Sequence, residues 1–166
     1  EIINFRKLNS KCSGHPEYFN TLGIETTTGL LGQGIATGIG ITIAIKWKKK
    51  FFNKNKKRIF TNNIYIFCGD GCLMEGVSYE ALSLAFNLKL NNFTIIYDKN
   101  NITIDGNIKI FFRENIEIKI KQLNFCLIKI NFFNKIKETE NKIKFINNKK
   151  NKPKFIIYNS IIGYGS

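Results

Sequence analysis

The sequence predicts an α/β domain of three layers, a mostly parallel sheet flanked by helices. Three observations carry that expectation. The 166 residues, 43% of them apolar and only two proline, are enough for one domain with a sizeable buried core. A strand, helix, strand pattern runs over about 35 residues from Asn63 to Tyr97, and such a crossover implies parallel strands covered by helices. Ahead of it, a glycine-rich stretch without charges runs into an apolar helix.

From Gly32 to Lys46 small and apolar residues recur at helical spacing, with Ile35, Ile39 and Ile43 on one line and Ala36 and Gly40 beside it. The small line is expected to let this helix approach another element closely. Lys46 to Lys57 reads as a solvated helix end and loop. Asn63 to Phe67 reads as a buried strand that ends at Cys68-Gly-Asp-Gly71. Met74 to Leu90 reads as a helix whose apolar face is Val77, Ala81, Leu84, Ala85 and Leu88. Phe93 to Tyr97 is a second strand, followed by the polar loop Asp98-Lys-Asn-Asn101. Between 107 and 152 the pattern fades into Ile, Lys, Asn and Phe, and no elements are assigned. Lys154 to Ser160 is one more strand, and Ile161-Ile-Gly-Tyr-Gly-Ser166 turns off its end. Neither a repeat nor a second domain is visible.

A net charge of +14 invites a nucleic-acid reading, but composition weakens it. Ile, Lys, Asn and Phe supply 89 of the 166 residues, and Arg only three. All four types are spelled by A/T-rich codons, so genomic drift produces this basicity without selection for binding. Thr26 to Ile45 is uncharged over twenty residues, yet eleven of them are Gly, Thr or Gln, which argues against a membrane span. No nucleic acid and no membrane are expected as partners. Cys12, Cys68, Cys72 and Cys126 form no disulfide ladder, and a single His leaves no zinc set, so reduced thiols in a cytoplasmic setting are expected. The chain opens Glu-Ile-Ile-Asn without Met, as expected of a fragment or a trimmed sequence.

In an open parallel sheet ligands bind beyond the carboxyl ends of the strands. Asp70 lies at the end of one strand and Asn100 just past the next, and neighbouring strands are about 4.8 Å apart, so the two can converge on one ion. A carboxylate, an amide oxygen and a backbone carbonyl suit Mg²⁺, which completes its shell with water and phosphate oxygens. Gly69 and Gly71 let the backbone approach a phosphate. From spacing alone, a pair of ordinary turns reads the same letters equally well.

Gly69-Asp70-Gly71, with Asn100 about 29 residues further on, resembles the thiamin-diphosphate signature. Gly14-His-Pro-Glu17, Glu25-Thr-Thr-Thr-Gly29, Leu31-Gly-Gln-Gly34, Gly69-Asp-Gly-Cys-Leu-Met-Glu-Gly76, Ile104-Asp-Gly106 and Ile161-Ile-Gly-Tyr-Gly-Ser166 together resemble transketolase, in the family's order and spacing. The resemblance implies a transketolase-like thiamin-diphosphate-binding domain over 1–166, incomplete at both ends. It implies thiamin diphosphate and Mg²⁺ as cofactors, with Ca²⁺ or Mn²⁺ able to substitute. By the same resemblance Gly29, Leu30, Leu31, Gly71 and Asn100 contact the cofactor. Asp70, Asn100 and the carbonyl of Ile102 bind the metal, and His15 contacts substrate. Glu75 and Glu80 match acidic residues near the subunit interface.

The implied reaction moves a two-carbon ketol unit from a ketose phosphate to an aldose phosphate, in the pentose phosphate pathway. Alternatives are a dihydroxyacetone-synthase-type or deoxyxylulose-phosphate-synthase-type enzyme, or an inactive basic nucleic-acid-binding remnant. The family's general-acid/base glutamate belongs to a pyrimidine-binding domain beyond this chain, so a homodimer or split-subunit complex is implied, with little activity from this chain alone. Taken singly, His15 reads as a surface histidine, Glu75 as a first-turn carboxylate favoured by a helix dipole, and the aliphatic residues after Gly29 equally well as core or as cofactor wall. Three positions depart from the family pattern: Leu30 replaces a proline, Asn101 a glycine, and Phe86 a small helix residue. Asn tolerates a left-handed backbone, whereas Phe86 is expected to force repacking or a helix shift.

Overall fold

Strand β1 (Ile64–Gly69), strand β2 (Phe93–Lys99) and strand β6 (Lys154–Asn159) form where the apolar runs predict them, the first two slightly longer than expected and the third one residue shorter. The computed structural model describes residues 2–53, 58–110, 112–131, 133, 135–149 and 151–164. A further strand, β5 (Cys126–Asn131), completes a four-stranded sheet of order β1-β2-β6-β5. All of its pairings are parallel, with Cys68 opposite Tyr97 and Tyr97 opposite Ile157. The two-residue strands β3 (Ile102–Thr103) and β4 (Gly106–Asn107) make a separate antiparallel ribbon.

Helices α1 (Gln33–Phe52) and α2 (Gly76–Asn87) pack on each other and cover one face of the sheet. There Ile35, Ile39, Leu82 and Ala85 meet Ile66, Phe93, Ile95 and Phe155, joined by Ile120 of α3 (Ile116–Gln122). Alternate strand residues point to the other face, where Ile130 and Ile156 meet Ile146 of α4 (Ile136–Asn147). Helices on both faces of a parallel sheet give the three layers expected. Coverage of the second face is partial: Tyr65 and Phe67 of β1 are 51% and 71% exposed.

Four readings change. Helix α1 runs to Phe52, so the expected helix end takes up more of the lysine-rich stretch than the loop does, and residues 54–57 of that stretch lie outside the described residues. Its closest approach is made by Gly38, with Ala36 packed against the core and Gly40 facing away: a Cβ on Gly38 would lie 2.5 Å from Ile66 Cδ1, while one on Gly40 would meet nothing within 4 Å. The buried face of α2 is Ser78, Ala81, Leu82 and Ala85, while Leu84 and Leu88 are exposed. Phe86 also lies on the outer side, 42% exposed, so the bulky residue needs no room in the core. Among the described residues, no helix is long and apolar enough to cross a membrane.

Candidate functional site

Strand β1 ends at Gly69, and the chain turns through Asp70 into a short 3-10 helix, Gly71–Met74. That turn carries Asp70 into the interior, where it is only 3% exposed. Its carboxylate is held from two sides. Oδ1 accepts a hydrogen bond from the Tyr97 hydroxyl. Oδ2 accepts from the backbone N–H of Asn100 at 3.1 Å and of Asn101 at 2.8 Å. The register explains the meeting, because Gly69 pairs with Asp98 and the loop after β2 therefore passes over Asp70.

The loop is shaped for this. Asn101 has φ 62°, the left-handed conformation that a short amide side chain tolerates, and it turns two successive N–H groups onto one oxygen. Asn100 Oδ1 accepts from the Ile102 N–H at 3.0 Å, which leaves that oxygen a second lone pair. On its other side, Asn100 Nδ2 lies 3.5 Å from Asp98 Oδ2. The Ser160 hydroxyl donates to Asp98, and the Ser160 N–H donates to the Lys99 carbonyl at 3.0 Å, so the segment after β6 is tied to the same loop.

Loop 29–32 reaches the site from the start of α1. Gly32 has φ 80°, and a Cβ there would lie 2.8 Å from both Glu75 Cβ and Val77 Cγ1. Leu31 stands beside Gly71, whose added Cβ would lie 3.0 Å from Leu31 Cδ1. Leu30 and Leu31 are exposed, so they are not core residues. Glu75 precedes α2 in an extended conformation as its N-cap residue, not within its first turn, and Glu80 is exposed. His15 is exposed as well, in an N-terminal hollow of about 540 Å³ with Arg6, Lys7 and Ser13. Asp70, Asn100, Gly71 and Leu31 thus gather in one place, while His15 belongs to the N-terminal loop.

Sequence reasoning missed Tyr97 and the network formed by Tyr79, Glu114 and Lys119. Tyr97 is buried, and burial, followed by its acceptor Asp70, pushes its hydroxyl far above the usual tyrosine range. Burial likewise pushes up the Cys68 thiol. The Tyr79 hydroxyl donates to Glu114 at 3.1 Å, and the Lys119 ammonium stands 4.0 Å from the Tyr79 ring centroid. This ties the segment before α3 to α2, beside a cavity of about 290 Å³ whose walls include Tyr97, Lys99 and Arg113.

The donors suit a hard cation with phosphate oxygens. A buried carboxylate, an amide oxygen and the Ile102 carbonyl are all hard oxygen groups, and beside them Gly71 brings no side chain of its own, with Leu31 packed next to it. Among the described residues no group of three His, Cys, Asp or Glu side chains is gathered for a metal.

The model of the transketolase thiamine diphosphate binding domain matches residues 1–166. This chain belongs to the transketolase family. A transketolase of Buchnera aphidicola subsp. Schizaphis graminum is 42% identical over the whole chain, and one of Bacillus subtilis 37%. The chain spans about a quarter of the length of either relative, 25% in both cases. A Leishmania mexicana transketolase structure superposes with a TM-score of 0.86 at 41% identity, over 98% of this chain and 24% of that one. A Pichia stipitis transketolase in complex with sedoheptulose-7-phosphate superposes at 0.85 and 39% identity, with the same coverage. The fold described above is therefore that of a transketolase thiamine-diphosphate-binding domain.

Proposed function

We propose that this chain supplies the metal- and diphosphate-binding half of a transketolase site, acting in transfer of a two-carbon ketol unit from a ketose phosphate to an aldose phosphate. One observation carries the reading: the buried Asp70 carboxylate, fixed by three donors at a strand end, adjoins Asn100 and Gly71, whose backbone carries no side chain of its own and has Leu31 alongside. Asp70, Asn100 and the Ile102 carbonyl hold Mg²⁺. Gly29, Leu30 and Leu31 line the cofactor beside Gly71. The exposure of both leucines supports that role, since apolar residues left open beside a site are available to a ligand.

Thiamin diphosphate, when bound, supplies the carbon nucleophile and the electron sink for the transfer. The chain's own residues orient it: Asp70 and Asn100 anchor the metal, and Leu31 excludes water next to the diphosphate. His15 contacts the sugar phosphate from the N-terminal loop. The sedoheptulose-7-phosphate complex of the Pichia stipitis relative supports a sugar-phosphate substrate. The base for the pyrimidine ring comes from a pyrimidine-binding domain on another subunit, docked near Glu75 and Glu80. Four free thiols accord with a cytoplasmic setting.

Calorimetry of thiamin diphosphate with Mg²⁺ tests the assignment. Asp70→Ala should abolish Mg²⁺-dependent binding, and Asn100→Ala should weaken it less, because an amide is a neutral ligand. Unchanged affinity in Asp70→Ala would refute it.

A further inference from the structure

We infer that the cavity between the loop after β2 and the start of α3 binds a small phosphate monoester with a flat, apolar body. The cavity measures about 290 Å³. Its floor is apolar, with Ile108 and Ile157 buried and Phe112 half-buried beside them. Its rim carries Lys99, Lys109 and Arg113. None of these three cations has a part in the metal or cofactor reading, so the inference goes beyond ketol transfer.

Charge decides what the cavity takes. Two carboxylates also border it, and both are engaged elsewhere. Glu114 pairs with Lys119 and accepts from the Tyr79 hydroxyl, and Glu117 pairs with Lys129 of β5 at 2.5 Å. Among the described residues none of Lys99, Lys109 and Arg113 has an ion-pair partner, so three cations border one hollow without a counter-charge. A phosphate monoester carries close to two negative charges and three acceptor oxygens, which matches three cations better than a carboxylate does. The guanidinium fork takes two phosphate oxygens at once, and each ammonium adds a point charge.

The wall is pre-formed. The Ile108 N–H donates to the Asn101 carbonyl at 3.1 Å and the Phe112 N–H to the Ile108 carbonyl at 2.8 Å, while Glu114 reaches across to Tyr79 of α2. Ligand cavities run from about 300 Å³ upward, so this one suits a single ring with its phosphate. A body rich in hydroxyls would lose its hydrogen bonds to water against that floor, whereas an apolar ring gains by covering it.

NMR titration of the chain with phenyl phosphate and with inorganic phosphate, in EDTA, tests this. The amides of Ile108, Phe112 and Arg113 should shift, and phenyl phosphate should bind about tenfold more tightly, since only it covers the floor. Arg113→Gln and Lys99→Gln should each weaken phenyl phosphate about tenfold, as expected for a charged hydrogen bond, and Arg113→Lys less. Lys144→Gln, on α4 across the sheet, should change nothing. An equal loss there would mean that the net charge of +14, not the cavity, attracts the anion, and would overturn the proposal. Unmoved amides, or equal affinity for the two phosphates, would overturn it as well. A second titration with saturating thiamin diphosphate and Mg²⁺ should give the same affinity. Displacement would place the phosphate in the cofactor site and not in this cavity.

Discussion

Gly32 and Glu75 meet where the loop entering α1 crosses the start of α2: a Cβ on Gly32 would lie 2.8 Å from the Glu75 Cβ. The contact joins the loop bearing Leu30 and Leu31 to the segment that follows Asp70. Gly32 also has φ 80°, so a side chain there meets both a clash and a strained backbone. Gly32→Ala should destabilise the chain by roughly 1–3 kcal/mol and push Leu31 away from Gly71. A Tm and a thiamin-diphosphate affinity both equal to wild type would contradict this.

Gly38 makes the second close approach, against Ile66. Both Cδ1 and Cγ1 of the buried Ile66 would be in the way, at 2.5 and 2.6 Å, so the core has little room to yield. Gly38→Ala should cost about 1–3 kcal/mol by overpacking, and Gly38→Ala with Ile66→Val should recover part of it. Urea unfolding of the single and double variants measures the coupling. Strictly additive effects would mean that the two positions do not touch.

Much of this was legible in the sequence, and the reasons are local. Strands β1, β2 and β6 are dense apolar runs bounded by Gly, Asn and Asp, and the parallel topology then put Asp70 beside Asn100 without further information. The face of α2 was misread because Leu84 and Leu88 supply the expected spacing but face outward, while Ser78, donating its hydroxyl to the Cys72 carbonyl at 2.5 Å, is buried. Helix α4 escaped notice because its apolar line, Ile136, Ile143 and Ile146 at i, i+7 and i+10, is interrupted by the polar run from Lys137 to Lys142, and only Ile146 of the three is buried. Tyr97 read as one more core aromatic. A signal was present: Phe93, Ile95 and Tyr97 alternate onto one face, which leaves a hydroxyl at the last inward position next to the strand that ends in Asp70.

Lys154 opens β6 in a buried position, level with Thr94 on one side and Cys126 on the other. Burial lowers its pKa below the usual lysine value. Below the lowered value the ammonium is charged in both folded and unfolded chains, and the fold bears the desolvation cost. As pH rises through that value toward the unfolded one, the folded chain gives up its proton first. The unfolded state then binds more protons, and stability increases. Lys154→Met should therefore raise Tm at pH 7, and the advantage should shrink as pH climbs toward the ordinary lysine pKa. Melting curves between pH 7 and 10 decide it, and a constant difference across that range would refute the buried charge as the cause.

The last expectation concerns assembly. The half-site proposed for Asp70, Gly71 and Asn100 belongs to a chain that spans about a quarter of the length of its relatives. Ketol transfer needs a base within about 3 Å of the cofactor's pyrimidine ring, so the partner domain must dock rather than merely be present. Glu75 is half-buried at the edge of the site, and a carboxylate buried at a contact is costly unless it finds a donor, which makes the docking selective. Glu75→Ala is a clean probe, because alanine keeps the Cβ that packs on Gly32 and removes only the carboxylate. Mixing the chain with a pyrimidine-binding partner domain should restore ketol transfer. In light scattering, Glu75→Ala should lower the complexed fraction, while calorimetry shows Mg²⁺ affinity unchanged. Loss of metal binding with assembly intact would place Glu75 in the cofactor site and not at the interface. Transfer by the purified chain alone would mean that it carries its own base.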